Sequence, residues 1–244
     1  MIDLHCHLCY GVDDGPPGPA DAVALAKALR DAGVTEVACT PHVRPDKGWM
    51  NVLSEQSRLH QALDNVLGDA DVSLIHHQGA EHYFDAQVFE EPVENKLVTY
   101  ADTRWLLIEF SYQGPPPDLF TPLYRLRQKG YRLLLAHLER FPYACDDEDV
   151  LERLVNAGYL IQVNLGSLAG AYTRAHRKAA ERLVTRGYAS IASGDCHGAK
   201  DVRPFVEKGL KALRKLVGDE GVQKLTVDNP RALLNDQPPE RIWP

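Results

Sequence analysis

His5 and His7 stand two residues apart in the opening run Met1-Ile2-Asp3-Leu4-His5-Cys6-His7, and Asp195 and His197 repeat that spacing near the other end of the chain. Residues two apart in an extended strand point to one face, so each pair presents two donor groups together. Imidazole combined with carboxylate suits borderline divalent ions such as manganese, iron or zinc. A single His-x-His is common, and any one of these residues is as readily a hydrogen-bonded core group. Two such pairs at opposite ends of the chain, with further donors between them, make a metal centre the better reading. The further donors are His42, Glu81, Glu109 and His137, each at the end of an expected strand, and Glu81 could bridge two ions.

Other residues carry weaker signals. Asp13-Asp14-Gly15 opens a Pro-rich loop, ordinarily a turn leading into an acidic helix start. Arg140 follows His137 by three residues and Arg203 follows His197 closely. A guanidinium binds phosphate in bidentate fashion and stabilises charge developing on its oxygens, so both are candidate phosphate-binding residues. Cys6 and Cys9 form a C-x-x-C without the helix of a redox motif or the second knuckle of a zinc ribbon. Cys6 should turn away from His5 and His7, and Cys39 and Cys196 should pack beside ligands. No cysteine has an arginine six residues later, which excludes a C-x5-R cysteine-phosphatase loop. His60, His76, His77, His82 and His176 are left outside the site, with His60 and His176 expected on helix surfaces.

The elements that must position these groups alternate. Strands are expected at Ile2–Leu4, Val37–Thr40, Ser73–His76, Trp105–Phe110, Arg132–Ala136, Leu160–Asn164 and Ser190–Ser193. Helices are expected at Ala20–Ala32, Leu53–Leu67, Pro117–Lys129, Asp149–Ala157 and Arg174–Arg186, several followed by a glycine suited to a helix C-terminus. The pattern is that of a parallel α/β fold in one domain spanning residues 1–244, and a barrel of about seven βα units explains it best. In such barrels the C-terminal strand ends build the active site, and that is where the His, Asp and Glu residues fall.

With 34 acidic and 27 basic residues, the net charge of -7 gives no general attraction to nucleic acid or anionic membrane. The apolar runs are too short to span a bilayer and no signal peptide is evident. Five cysteines without a secretory signature are expected to be reduced thiols in a cytoplasmic protein.

Taken in order, the motifs resemble the PHP (polymerase and histidinol phosphatase) superfamily, and within it the capsule-type bacterial protein tyrosine phosphatases of exopolysaccharide operons. The resemblance rests on Met-Ile-Asp-Leu-His-Cys-His at 1–7, Gly-Val-Asp-Asp-Gly at 11–15, Cys-Thr-Pro-His at 39–42 and Gly-Ala-Glu at 79–81. It extends through Leu-Ile-Glu-Phe at 107–110, Ala-His-Leu-Glu-Arg at 136–140, Gln-Val-Asn-Leu-Gly-Ser-Leu at 162–168, Ser-Gly-Asp-Cys-His at 193–197 and Arg203-Pro204. It implies a distorted TIM-like (β/α)7 barrel and a manganese-dependent phosphomonoesterase holding two or three divalent ions, with iron or zinc as alternatives. By this resemblance His5, His7, Glu81 and Asp195 hold one ion, and Glu81 bridges to a second at Glu109 and His137. Asp14, His42 and His197 hold the third, and Arg140 and Arg203 bind phosphate. A metal-bridging hydroxide is the expected nucleophile, with His42 or Asp14 assisting. Leu138 stands where the family usually has proline, and Leu8-Cys9-Tyr10-Gly11 departs from its usual first loop, both near the expected pocket mouth.

The implied substrate is a phosphotyrosine protein, which could be an exopolysaccharide-associated tyrosine kinase, and homo-oligomerisation is left open. Three rival readings keep parts of the same evidence in the residues: a phosphatase for histidinol phosphate or another small ester, an amidohydrolase-type enzyme, and a non-catalytic module that binds a kinase.

Overall fold

The computed structural model describes residues 1–50, 52–85 and 97–240. Their strands are β1 (Ile2–Cys6), β2 (Glu36–Cys39), β3 (His42–Val43), β4 (Ile75–Gln78), β5 (Glu81–Tyr83), β6 (Trp105–Glu109), β7 (Arg132–Leu135), β8 (Leu160–Asn164) and β9 (Ala189–Ser193). All pairings between them are parallel. The intervening helices include α1 (Pro19–Asp31), α2 (Val52–Asp69), α3 (Phe120–Gln128), α4 (Glu148–Asn156) and α5 (Arg174–Thr185), followed by α6 (Lys208–Gln223) and α7 (Asn229–Leu234).

Two sheets share the work, one ordered β1-β2-β4 and the other β3-β5-β6-β7-β8-β9. The first passes into the second where Thr40-Pro41 separates β2 from β3 and Gly79-Ala80 separates β4 from β5. Pro41 has no N–H to donate, so the ladder to β1 stops there and the chain resumes beside β5. Seven strand paths therefore follow one another in chain order, as expected. A continuous ladder from β9 back to β1 is not among the described pairings. The two ends meet instead at one parallel bridge, Cys6 to Cys196, flanked by Asp195 N–H to His5 O (2.8 Å) and His7 N–H to Cys196 O (3.0 Å). The buried Asp3 carboxylate adds to this seam by accepting the Gly194 N–H at 3.0 Å.

Side-chain parity explains why the strands read as unbroken apolar runs. In β6, Trp105 and Leu107 join one buried cluster with Ile2, Leu4, Ala38, Leu134 and Ile191. Leu106 and Ile108 join the other, which lies beneath the helices. On β1 the register shifts between Asp3 and Cys6. Ile2 and Leu4 therefore face the first cluster whereas Cys6 and Leu8 face the second. Strand alternation turns Cys6 away from the histidines on either side of it, as anticipated, and the irregularity leaves it on the other face from Leu4.

Helix starts follow their caps. Asp147 accepts the Val150 N–H ahead of α4, and Thr173 accepts the His176 N–H ahead of α5. Asp118 accepts the N–H groups of Phe120 and Thr121, so α3 begins at Phe120 and not at Pro117 as expected. The strand expected at Ser73–His76 lies at Ile75–Gln78. Val72 and Leu74 are buried in the approach to it, so the apolar run begins before the ladder with β2 does. Helices α6 and α7 were not anticipated.

Gly209 of α6 crosses the one-turn helix Leu165–Leu168, and a Cβ at this position would lie 2.5 Å from the Leu165 carbonyl oxygen and Cβ. Gly209→Ala is expected to destabilise the fold by about 1–3 kcal/mol through overpacking. Urea unfolding with an unchanged midpoint would contradict this contact.

Candidate metal centre

Every expected ligand except Asp14, which lies in the loop between β1 and α1, is at a strand end or just beyond it. His5 is the penultimate residue of β1 and His7 follows the strand, His42 starts β3, Glu81 starts β5 and Glu109 ends β6. His137 and Asp195 come two residues after the ends of β7 and β9, and both have left-handed backbone, φ 31° and 54°. Such conformations cost energy in residues with a Cβ and collect at functional sites. Here they turn the chain sharply out of the strand and aim the side chain across the rim. Close donor groups link all nine candidates: His7 with Asp14, His42 and His197; His5 with His7 and Glu81; His5 with His137 and Asp195; and His42 with Glu81 and Glu109.

Hydrogen bonds decide which nitrogens are free. His5 Nδ1 pairs with Gln162 Oε1 at 3.1 Å, and an amide oxygen only accepts, so His5 Nδ1 carries the proton. His7 Nδ1 pairs with Asp13 Oδ2 at 2.8 Å, with the same consequence. Both rings therefore present an unprotonated Nε2 to Glu81 when neutral. His5 Nε2, His7 Nε2 and His42 Nδ1 each approach Glu81 Oε2, at 3.2, 3.5 and 3.0 Å. None of these buried atoms, nor His137 Nδ1, makes a hydrogen bond with a described residue. Orphaned buried polar atoms are rare and costly, and a shared cation would satisfy this set at once.

Charge points the same way. Glu81 is 1% exposed. Burial opposes its ionisation, yet His5 and His42 hold it well below the usual carboxylate range. His5 is likewise opposed by burial but raised to about 9 by Glu81 and Asp195. Glu109, buried and beside Glu81, is pushed up to about 8, while burial brings His137 down to about 4. In the metal-free protein His5 and His7 thus carry the positive charge that Glu81 and Asp195 require. Divalent cations would replace those protons, and the donor set of imidazole and carboxylate fits manganese, iron or zinc.

Surrounding groups hold the donors in place. Gln162 Oε1 also accepts the His137 N–H, and Gln162 Nε2 donates to Asn164 Oδ1 at 2.7 Å. Asn164 Nδ2 in turn donates to Asp195 Oδ2 at 2.7 Å. One β8 face thereby ties together ligands from β1, β7 and β9. Asp13, not singled out from the sequence, is buried and also accepts the N–H groups of His42 and Gly15. Asp14 beside it points to the cavity mouth, 3.5 Å from His42 Nε2 and 3.3 Å from His197 Nε2.

A cavity of about 440 Å³ opens over the donors. The turn after His137 carries Arg140 back above them, its Nη1 3.5 Å from Asp195 Oδ2. Its guanidinium lies between the rings of Tyr112 and Tyr172, 5.0 and 5.2 Å from their centroids, and its buried Nε has no hydrogen-bond partner among the described residues. Glu139 anchors that turn by accepting from Asn164 N–H and the Ser167 hydroxyl. Arg203 is exposed, and the segment it belongs to turns Lys200, Asp201 and Phe205 toward the cavity instead. Sequence reasoning missed Arg44, which lines the cavity with its Nη1 3.5 Å from Glu109. Its position two residues after His42, on the same strand parity, was the available signal. His82 faces away and bonds the Leu107 carbonyl, as anticipated. All five cysteines are buried and free, and none of them lines the cavity.

The family model described as "Capsular polysaccharide synthesis, CpsB/CapC" matches residues 1–235. The tyrosine-protein phosphatase YwqE of Bacillus subtilis is 30% identical over 240 residues, covering 97% of this chain and 92% of the relative. The tyrosine-protein phosphatase CpsB of Streptococcus pneumoniae is 26% identical, covering 97% and 99%. A crystal structure from the work on YwqE and CpsB, described as unique metal-dependent tyrosine phosphatases, superposes with a TM-score of 0.90 at 30% identity, covering 100% of this chain and 98% of that one.

Asp13 supports two candidate ligands, the His7 ring and the His42 backbone, so Asp13→Asn is expected to weaken manganese binding about 10–100-fold while leaving the fold intact. Calorimetric titration giving wild-type affinity would contradict that role.

Proposed function

The chain belongs to the CpsB/CapC family of capsular polysaccharide synthesis, and we propose that it is a metal-dependent tyrosine phosphatase acting at the strand-end rim. The observation that carries this reading is Arg140, clamped between Tyr112 and Tyr172 directly above the orphaned donor atoms. It places a phosphate-binding guanidinium, aromatic walls and a cation site within one cavity.

We assign His5, His7, Glu81 and Asp195 to one ion, Glu109 and His137 to a second shared through Glu81, and Asp14, His42 and His197 to a third. His7 is close enough to the last group to serve it as well. Manganese is the proposed ion, with iron or zinc as alternatives. When bound, such ions neutralise phosphoryl oxygens and lower the pKa of water enough to supply a nucleophile at neutral pH.

The chain's own groups do the rest. Arg140 orients the phosphoryl group and stabilises charge on its equatorial oxygens. Asp195, fixed by Asn164, keeps the guanidinium in place. Tyr112, Tyr172 and Phe205 offer apolar faces to the phenyl ring and exclude water around it. Tyrosinate, with a phenol pKa of about 10, leaves with little acid assistance and takes its proton from solvent at the mouth, where Asp14 and His42 lie. Arg203, exposed and outside the cavity lining, is assigned only to the approach of the phosphate. The substrate is a phosphotyrosine protein, for which a tyrosine kinase of the exopolysaccharide system is the proposed candidate. Among the described residues no helix is long and apolar enough to cross a membrane.

A panel of phosphotyrosine peptides and histidinol phosphate tests the assignment. Turnover confined to histidinol phosphate would overturn it, as would amide hydrolysis without phosphatase activity. Asp195→Asn is expected to abolish turnover with the circular dichroism spectrum unchanged. Arg140→Ala should lower kcat by about 10²–10³-fold, the cost of losing one transition-state donor. Arg203→Ala should act mainly on KM. Wild-type kcat in the Arg140 variant would remove that residue from the mechanism.

A further inference from the structure

A second set of donors meets beneath α2, where none of its members lines the catalytic cavity. Cys39 ends β2, His76 lies in β4 and His60 in α2. Val37 pairs with His76 across the ladder, so His76 faces the side of the sheet that Val37 and Cys39 share. On that side Val37 and Cys39 pack with Leu59 and Leu63 of α2. Cys39 Sγ and one ring nitrogen each from His60 and His76 lie within 4.8 Å of one another.

The hydrogen bonds around the two imidazoles are those of a metal site. His76 Nε2 pairs with Asp64 Oδ1 at 2.8 Å, which makes Nε2 the protonated nitrogen and leaves Nδ1 with a lone pair. That Nδ1 faces His60 Nδ1 at 2.9 Å. A carboxylate behind one ring nitrogen with the other free is the usual outer support of a ligating histidine. Asp64 is four residues from His60, on the same face of α2. A plain relay from His60 through His76 to Asp64 would account for both contacts. It would leave His60 Nε2 buried with no hydrogen-bond partner among the described residues, and it gives the adjoining Cys39 sulfur no part.

We propose that Cys39, His60 and His76 form a separate metal site, suited to zinc or another divalent ion that accepts thiolate, with Asp64 orienting His76. One sulfur and two nitrogens are an ordinary zinc donor set. Donors on one tetrahedral zinc lie about 3.3–3.7 Å apart, so the ion would take the place of the 2.9 Å His60–His76 hydrogen bond and the two rings would part slightly. The site ties α2 to β2 and β4, and so braces the strand that leads into His42. Burial holds His60 down to about 4, which keeps it neutral and able to ligate. The neighbouring Cys9 and burial favour the protonated Cys39 thiol, so binding releases a proton and affinity rises with pH.

Cobalt(II) tests this directly, because the nine candidates of the catalytic centre include no cysteine and only thiolate coordination gives a sulfur-to-cobalt charge-transfer band. The full chain titrated with cobalt should develop the band. Asp195→Asn should keep it, Cys39→Ser should lose it while retaining phosphotyrosine turnover, and His60→Ala should bind at least tenfold more weakly. Absence of the band at saturating cobalt, or its survival in Cys39→Ser, would overturn the proposal. Should Cys39→Ser fail to fold, an unchanged cobalt affinity in His60→Ala would overturn it alone.

Discussion

Glu81 is a carboxylate held out of water at the centre of the rim, with imidazole nitrogens of His5, His7 and His42 within 3.5 Å of one of its oxygens and His137 Nε2 at 2.9 Å from the other. A buried charge of this kind is tolerated only when paired, and removing its partners would cost several kcal/mol. The rest of the molecule can be understood as meeting that requirement. Parallel strands bring His5, His7, His42 and Glu109 to one level, left-handed turns at His137 and Asp195 aim two more donors inward, and the β1–β9 seam sets the His5 side against the Asp195 side.

The same constraint explains the outer layer of hydrogen bonds. Gln162 and Asn164 lie two apart on β8 and so share a face, and between them they reach His5, the His137 backbone and Asp195. Asp13 does for His7 what Gln162 does for His5. Each fixes the tautomer of a ring whose other nitrogen faces Glu81. The ligands are thus arranged before any ion arrives, which is how a site gains affinity and geometric selectivity from the protein alone.

Much of this was legible in the sequence. The order of elements followed from apolar runs alternating with helical periods, and the site followed from polar residues recurring at strand ends, with His5 and His7 as the clearest pair. What was missed has physical reasons. Asp13 and Asp14 are adjacent and chemically identical, and only the loop's path buries one against His7 and leaves the other at the mouth. Gln162 contacts His5 across 157 residues, beyond anything local spacing reports. The splitting of β2 from β3 depends on which neighbour the chain pairs with after Pro41, and the passing of Arg44 over Tyr83 depends on that path. His60 and His76 were left outside the site, and His60 was expected on a helix surface, because helix and strand periodicity treat them separately, whereas the packing of α2 on the sheet half-buries His60 and brings both beside Cys39.

The central claim is that Glu81 and the nitrogens around it hold divalent cations. Anomalous diffraction at the manganese edge, from crystals of the manganese-loaded protein, tests it most directly. The account predicts at least two anomalous peaks within bonding distance of the Glu81 carboxylate, each also contacted by imidazole nitrogens from the rim. Crystals in which the Glu81 carboxylate lies against His5 and His42 with no anomalous peak beside it, although the protein is active, would contradict it.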